Sequence, residues 1–282
     1  MSEITVTGAN GFIGTNVLLK LKDDFNKIHA VTTQKKDEIK FDNKINWVTH
    51  DLNHIDDLTY EKLGSPKVLI HLAWSGLRNL NCEKHLTDYY LGHLNFIKYM
   101  IDCGVETIFI SGTCQEYKLQ DNTCLSEKSE VIPFTNYARA KNNLRIEIEK
   151  YIRNKECKLI WGRIFYLYGS FQQKQTLFGQ FSESLNSRIF EIKNPDLIRD
   201  YLCVQRLAEY IIELLKVQEK YTVVNLCSGK PIKIYDLVNN WRVTYKALFR
   251  IKSQSNLKNQ LEKEVSFWGD NSFLLKILEN LK

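Results

Sequence analysis

No apolar run in this 282-residue chain reaches the ~18 residues that a membrane span requires. Its start also lacks the basic-then-apolar pattern of a secretory signal. A membrane protein is therefore not expected, and the cytoplasm is the expected compartment. The seven cysteines form no C-x-x-C pair and no metal-ligand spacing, so they read as reduced thiols and no metal site is expected. No proline-rich or glycine/serine-rich linker, internal repeat or low-complexity tract divides the chain. The formal charge of +6 is modest for a nucleic-acid binder and suits the steering of small anionic ligands. With 44% hydrophobic residues, the chain can bury a full core and a smaller second lobe.

What is present begins at the amino terminus. Residues 3–7 read as a β-branched strand that runs into glycines at 8, 11 and 14. Apolar residues then recur at Phe12, Ile13, Val17, Leu18 and Leu21, as on an amphipathic helix. A strand, a glycine-rich turn and a helix start form an anion cradle, because backbone N–H groups and the helix dipole both favour a phosphate there. Gly8 permits the tight turn, Gly11 the approach of a pyrophosphate, and Gly14 the packing of helix on strand. The spacing is G-x-x-G-x-x-G, which departs from the G-x-G-x-x-G dinucleotide fingerprint. Asn10, Phe12 and Ile13 belong to the same turn and are expected to touch the dinucleotide.

A second strand over 27–33 is expected to end near the adenosine ribose. An NAD-using enzyme typically has Asp or Glu there to accept from the 2′-hydroxyl. This chain has Thr32, Thr33 and Gln34, followed by Lys35 and Lys36. The missing carboxylate and the two cations favour a 2′-phosphate, hence NADPH over NADH.

Tyr137 and Lys141 stand four apart in Tyr137-Ala138-Arg139-Ala140-Lys141, on one face of an expected helix. A free phenol titrates near pH ~10, and a neighbouring ammonium favours the phenolate, bringing it nearer to working range. The pair alone also suits a solvated helix face.

Together, the glycine run and the Tyr137–Lys141 pair resemble the extended short-chain dehydrogenase/reductase family of nucleotide-sugar epimerases, dehydratases and reductases. Ordered segments along nearly the whole chain carry the resemblance. Asp51-Leu52 resembles the adenine contact, and Leu69-Ile70-His71-Leu72-Ala73, with Trp74, the segment beneath the cofactor. Ile110-Ser111-Gly112-Thr113 resembles the strand end that bears the third catalytic hydroxyl, implying that role for Thr113. Arg163-Ile164-Phe165-Tyr166-Leu167-Tyr168-Gly169 is similar to the segment after strand six, implying cofactor contact at Phe165 and sugar contact at Tyr166. Arg199-Asp200-Tyr201 resembles the motif whose arginine holds the nucleotide diphosphate, although Arg199 could instead ion-pair with Asp200. Asn225-Leu226-Cys227-Ser228-Gly229-Lys230-Pro231 resembles the family's late strand and turn.

More narrowly, His71-Leu72-Ala73-Trp74-Ser75-Gly76-Leu77, Gly112-Thr113-Cys114-Gln115-Glu116-Tyr117 and Phe267-Trp268-Gly269-Asp270 are similar to reductases of dTDP-4-keto-6-deoxy sugars. The resemblance implies reduction of the C4 ketone of a dTDP-linked 4-keto-6-deoxyhexose, of the dTDP-fucose-forming or talose type, for surface polysaccharide such as O-antigen. Tyr137 would act as general acid, Thr113 would hydrogen-bond the same oxygen, and Lys141 would bond the nicotinamide ribose. Ser75, Cys114, Gln115 and Trp268 would contact the sugar or its base.

Two absences narrow the reaction. A 4,6-dehydratase of the family has an Asp-Glu pair directly after the catalytic Thr, where this chain has Cys114 and Gln115. The 3,5-epimerising type uses a cysteine and a distant histidine, but all six histidines precede Tyr137. Cys114 therefore reads first as a small buried thiol. A nucleotide-sugar 4-epimerase with tightly bound NAD shares Thr, Tyr and Lys and stays open, although Tyr166 stands where such epimerases often have Asn. A non-catalytic dinucleotide-binding protein is the third reading.

Strand-like segments at 3–7, 27–33, 45–49, 67–72, 106–111 and 157–162 alternate with helical ones. The expected fold is α/β: a Rossmann-type doubly wound parallel sheet over 1–165, with a smaller C-terminal substrate-binding lobe over 166–282. Some strands and helices of that second region can return to the sheet. Helices are expected at 84–103, 137–154, 174–187 and 204–217, with a late strand at 223–227. Leu86, Tyr90, Leu94, Ile97 and Ile101 stripe the first helix. The family resemblance implies a homodimer through the first two helices, while such a stripe also suits ordinary core.

Overall fold

The computed structural model describes residues 3–21, 25, 27–34, 44–254 and 264–281. The expected Lys35 contact lies outside the described residues. The chain runs through β1 (Ile4–Thr7), α1 (Phe12–Leu21), β2 (Ile28–Thr32), β3 (Ile45–Thr49), the single turn α2 (Thr59–Lys62) and β4 (Val68–His71). Next come α3 (Asp88–Asp102), β5 (Thr107–Thr113), β6 (Thr123–Leu125), α4 (Asn136–Ile152), β7 (Lys158–Ile164) and β8 (Tyr166–Tyr168). The last third holds α5 (Leu177–Glu183), β9 (Ile189–Lys193), β10 (Ile198–Cys203), α6 (Val204–Leu214), β11 (Tyr221–Leu226) and β12 (Pro231–Lys233). It ends with α7 (Ile234–Thr244), β13 (Arg250–Gln254), β14 (Phe267–Gly269) and α8 (Ser272–Asn280).

Seven strands form one parallel sheet in the order β11-β7-β5-β4-β1-β2-β3. Strands β1, β2 and β5 are buried on both faces, as a doubly covered parallel sheet requires, while the edge strand β3 is partly exposed. One core lies under α1, α6 and α8, around Val17, Leu18, Ile211 and Leu274. The other lies under α3 and α4, around Phe96, Ile97, Leu144 and Trp161. Late in the chain, β11 extends the sheet beyond β7, and α6 and α8 pack on the same body.

The remaining residues of the last third build a separate aromatic core. Phe178, Phe181, Phe190, Trp241 and Phe249 from α5, β9, α7 and the approach to β13 meet there. The striped face of α3 is spent inside the chain: Leu94, Ile97 and Ile101 are buried in the α3–α4 core and Tyr90 packs against it. The stripe therefore supplies no argument for a dimer.

Strand order reverses direction of progression between β1 and β4, which opens a crevice at their carboxyl ends. Gly8 sits at that point with φ +67°, where a Cβ would lie 2.7 Å from the Ala73 amide nitrogen. Only glycine allows the β1 turn and the chain after β4 to approach so closely.

Candidate active site

A cleft of about 780 Å³ opens at this switch point. The glycine turn lines it with Gly8, Asn10, Gly11, Phe12, Ile13 and Gly14. Thr32 and Thr33 from the end of β2, Asp51 and Leu52 after β3, and Leu72, Ala73, Trp74 and Ser75 after β4 complete that wall. All of these except Ser75 were expected from sequence as dinucleotide contacts, Ser75 being expected at the sugar. Gln172, Gln173 and Thr176 approach from the opposite side, anchored where the Asn16 side chain donates to the Ser170 carbonyl at 3.1 Å.

Details at the adenosine end differ from expectation. Thr32 is buried, and its hydroxyl is used within its own turn, donating to the Gln34 carbonyl at 2.9 Å and accepting from the Gln34 amide. Exposed Thr33 presents the polar group there instead. Asp51 accepts from the Asn53 amide and side chain, and these bonds hold its carboxyl below the usual range.

The expected catalytic residues converge one strand away. Thr113 ends β5, and its hydroxyl lies beside the Tyr137 phenol. Helix α4 is capped by Thr135, whose hydroxyl accepts from the Ala138 amide at 3.1 Å and donates to Gln115 Oε1 at 3.2 Å. That cap fixes the first turn, so Tyr137 faces Thr113 with Lys141 one turn further on. The loop between β4 and α3 is docked on the same turn, because the Tyr137 amide donates to the Leu80 carbonyl at 2.9 Å.

Lys141 is fully buried. Its ammonium donates to the Ser111 carbonyl at 2.8 Å and lies 4.1 Å from the centroid of the Trp74 ring. Burial lowers its pKa to about 7. The phenol of Tyr137 moves the opposite way: burial, then the negative charge of Glu116, push its pKa well above the ordinary value. The sequence reading had the ammonium lowering the phenol's pKa. Here the ammonium is directed at Ser111 and Trp74, so burial dominates and the phenol keeps its proton. A protonated phenol is the form a general acid needs.

Trp74 itself is held from three sides. Its ring stacks on His93 at 4.5 Å, its indole N–H donates to His85 Nδ1 at 3.1 Å, and its edge meets Tyr137 at 5.9 Å. Because Trp74 lines the cleft and covers Lys141, it stands between that ammonium and the space where a cofactor would bind. His93 and His71 share a hydrogen bond of 2.9 Å, and burial lowers the pKa of both, that of His93 to about 3.

On the substrate side the expected residues separate. Arg199 is buried beside the rings of Tyr166 and Phe267, 5.3 and 4.8 Å from their centroids, and donates to the carbonyls of Ile198 and Val265. It does not ion-pair with Asp200, whose carboxylate accepts the Ser228 and Gly229 amides at 2.7 and 2.9 Å. Within β14 it is Phe267 whose ring packs on Arg199. Successive strand residues point to opposite faces, and Trp268 turns to Cys124 instead. Phe165 does not line the cleft. It is buried with Cys114, Tyr117, Cys227 and Phe267 in a small apolar cluster. Burial in that cluster pushes the Cys114 thiol up to about 12, so it keeps its proton and packs as a small apolar group.

One group escaped the sequence reading. Glu116 is fully buried, and its carboxylate accepts from the Thr113 amide at 2.9 Å, the Trp161 indole at 3.0 Å and Arg163 Nε at 2.8 Å. The available signal was an arginine inside the otherwise apolar strand β7 and a glutamate two residues after Cys114. Neither points to its partner until β5 and β7 pair.

Comparison with known proteins agrees with this geometry. The chain is 25% identical over 236 residues to dTDP-6-deoxy-L-talose 4-dehydrogenase (NAD(+)) of Aggregatibacter actinomycetemcomitans, covering 81% of this chain and 85% of that protein. It is 24% identical to GDP-6-deoxy-D-talose 4-dehydrogenase of the same organism, covering 99% and 92%. In fold it superposes on UDP-glucose 4-epimerase of Thermotoga maritima with a TM-score of 0.81 at 18% identity, over 97% of this chain and 91% of that one. It likewise superposes on a dTDP-glucose 4,6-dehydratase of Streptomyces venezuelae with a TM-score of 0.80 at 16% identity, over 98% and 90%. The model of the NAD dependent epimerase/dehydratase family matches residues 4–227. With a glycine cradle at the β1–β4 switch point and Thr113, Tyr137 and Lys141 gathered beside it, the chain belongs to the NAD dependent epimerase/dehydratase family.

Proposed function

We propose that this protein is an oxidoreductase that reduces the C4 ketone of a dTDP-linked 4-keto-6-deoxyhexose, serving nucleotide-sugar supply for surface polysaccharide. The observation that carries the reading is the placing of the Thr113 hydroxyl beside a protonated Tyr137 phenol, with Lys141 one turn away. The two 6-deoxytalose 4-dehydrogenases among its relatives act at the corresponding carbon, as their names state.

Bound in the cleft, a nicotinamide cofactor supplies the hydride. The chain's own residues supply the rest. Thr113 and Tyr137 converge on one point, so a carbonyl oxygen placed there accepts from both and is polarised towards an alkoxide. Tyr137 then gives its proton to that oxygen. The phenolate left behind is stabilised by the Thr113 hydroxyl and by Lys141 once its ammonium turns from Ser111. That turn requires Trp74 to leave the face of the lysine. Arg199 and Tyr166 belong to the substrate side, where Arg199, whose Nη2 lies 4.0 Å from Glu264 Oε2, is the cation for an anionic diphosphate. Cys114 and Gln115 offer no acid–base pair for dehydration, in keeping with simple reduction.

The reductant is NADPH on this reading, because no carboxylate stands at the end of β2. The NAD(+) in the name of the talose relative is the specific observation on the side of NADH. Equal concentrations of each, tested with one sugar, separate the two. The protein is further proposed to be cytoplasmic and a homodimer. Among the described residues no helix is long and apolar enough to cross a membrane.

The test is absorbance at the reduced-nicotinamide band after adding enzymatically prepared dTDP-4-keto-6-deoxyglucose. Oxidation of cofactor in step with loss of the ketone is expected. A silent trace while sugar isomers interconvert would replace reduction by 4-epimerisation with retained NAD. Tyr137→Phe should keep cofactor binding and lose most turnover.

A further inference from the structure

Beneath the three expected catalytic side chains lies a charge that the reduction mechanism above does not use. The Glu116 carboxylate is enclosed by Trp161, Arg163 and the start of its own turn. Its Oε1 accepts the Thr113 amide while the Thr113 hydroxyl accepts the Gln115 amide, so the two residues brace one another across the turn. The neighbouring glycine makes room for this clamp: a Cβ on Gly112 would lie 2.2 Å from the Trp161 indole nitrogen and 2.6 Å from Glu116 Oε1. Arg163 in turn lies over the Tyr117 ring at 4.4 Å, and Tyr117 donates to Asn225 Oδ1 at 2.6 Å. The carboxylate is thus locked into the ends of β5, β7 and β11 and cannot relax away.

We propose that Glu116 is a positioning residue of the active site: it holds the Thr113 hydroxyl on the Tyr137 phenol and supplies a fixed negative charge behind Lys141. This rests on the assignment of Thr113, Tyr137 and Lys141 as the catalytic set. The position follows from the pairing of β5 with β7, which sets Arg163 opposite Gly112. Charge is what sets a carboxylate apart from a neutral amide of the same shape here. The Glu116 charge favours the protonated forms of both Lys141 and Tyr137. Other titratable groups face this pair from the surrounding elements. His71 comes from β4, His93 from α3, His85 from the loop between them, and Cys114 from the turn after β5. His71 and His93 are held neutral by burial, and Cys114 keeps its proton, so none of these three replaces the carboxylate.

The test is the pH profile of kcat/KM for reduction of dTDP-4-keto-6-deoxyglucose by the whole enzyme. Glu116→Gln keeps an acceptor for the Thr113 amide and removes the charge. Its alkaline limb should move about one unit towards acid, the size produced by one nearby charge. Turnover near pH 8 should fall roughly tenfold, while that near pH 6 falls much less. Glu116→Gln leaves the Arg163 charge buried without its partner, so a second variant adds Arg163→Met, and both are checked for folding by circular dichroism. The same acid shift is expected in the double variant. A folded variant with the parent's pH profile, or one slowed equally at every pH, overturns the proposal. Tyr137→Phe is the control: near-normal turnover in that variant would remove the catalytic assignment itself, and this inference with it.

Discussion

Replacing Lys141 by Met should make this protein more stable while disabling it, and the gain should depend on pH in a defined direction. Burial lowers the Lys141 pKa from 10.5 to about 7. A drop of about 3.5 units corresponds to about 5 kcal/mol of penalty for holding the ammonium inside the fold, at 1.36 kcal/mol per unit. The face of Trp74 lies 4.1 Å from that charge and is the nearest compensation it finds. The unfolded chain keeps the lysine proton up to pH 10.5, whereas the folded chain releases it near pH 7. Between these values the unfolded state binds more protons, so stability rises with pH across that window. The penalty is complete below pH 7 and gone above 10.5. Lys141→Met, similar in length and apolar, should therefore gain about 5 kcal/mol at pH 6, with the advantage vanishing towards pH 10.5. In thermal terms that is roughly 10–20 °C for a chain of this size. Urea unfolding of parent and variant at pH 6, 8 and 10 measures it, with turnover followed in parallel. A stability difference independent of pH would mean that the ammonium carries no burial penalty, and the account of this lysine would be wrong.

Three further outcomes are expected. Thr113→Val removes one of the two donors aimed at the carbonyl and should lower kcat by about 10²-fold with KM little changed, read by steady-state kinetics. Phe267→Ala opens a cavity beside Arg199 and Tyr166 and should cost about 3 kcal/mol in urea unfolding as well as raising KM for the sugar nucleotide. Trp268→Ala should leave KM near the parent value, and the reverse ranking would show that the β14 strand faces the other way. Thr33→Asp places a carboxylate at the exposed end of β2 and should raise the ratio of kcat/KM for NADH to that for NADPH by tenfold or more. An unchanged ratio would move the ribose contact elsewhere.

The boundaries of the elements show where local patterning sufficed. The helix expected at 137–154 is α4, Asn136–Ile152, because a Thr cap and an uninterrupted apolar face are both local signals. The expected helix at 84–103 starts later, at Asp88, since residues 83–85 form a separate 3₁₀ turn that carries His85 to Trp74. That tertiary contact has no counterpart in periodicity. Trp268 and Phe267 illustrate the same gap. Both are large and aromatic, and only the pairing of β14 with β6 decides which one turns towards Arg199.

Short-range chemistry written in the chain was enough for the glycine cradle, the alternation of strands and helices, and the one-turn spacing of Tyr137 and Lys141, because each depends on residues a few positions apart. Protonation and partnership were decided by tertiary structure. Glu116 meets Arg163 across 47 positions, and Thr7 meets His71 across 64. The burial that holds the Tyr137 proton in place and loosens that of Lys141 comes from strands, loops and rings drawn together from all along the chain. Electrostatics in a protein interior depends on what surrounds a charge, and that surrounding exists only once the sheet has closed beneath it.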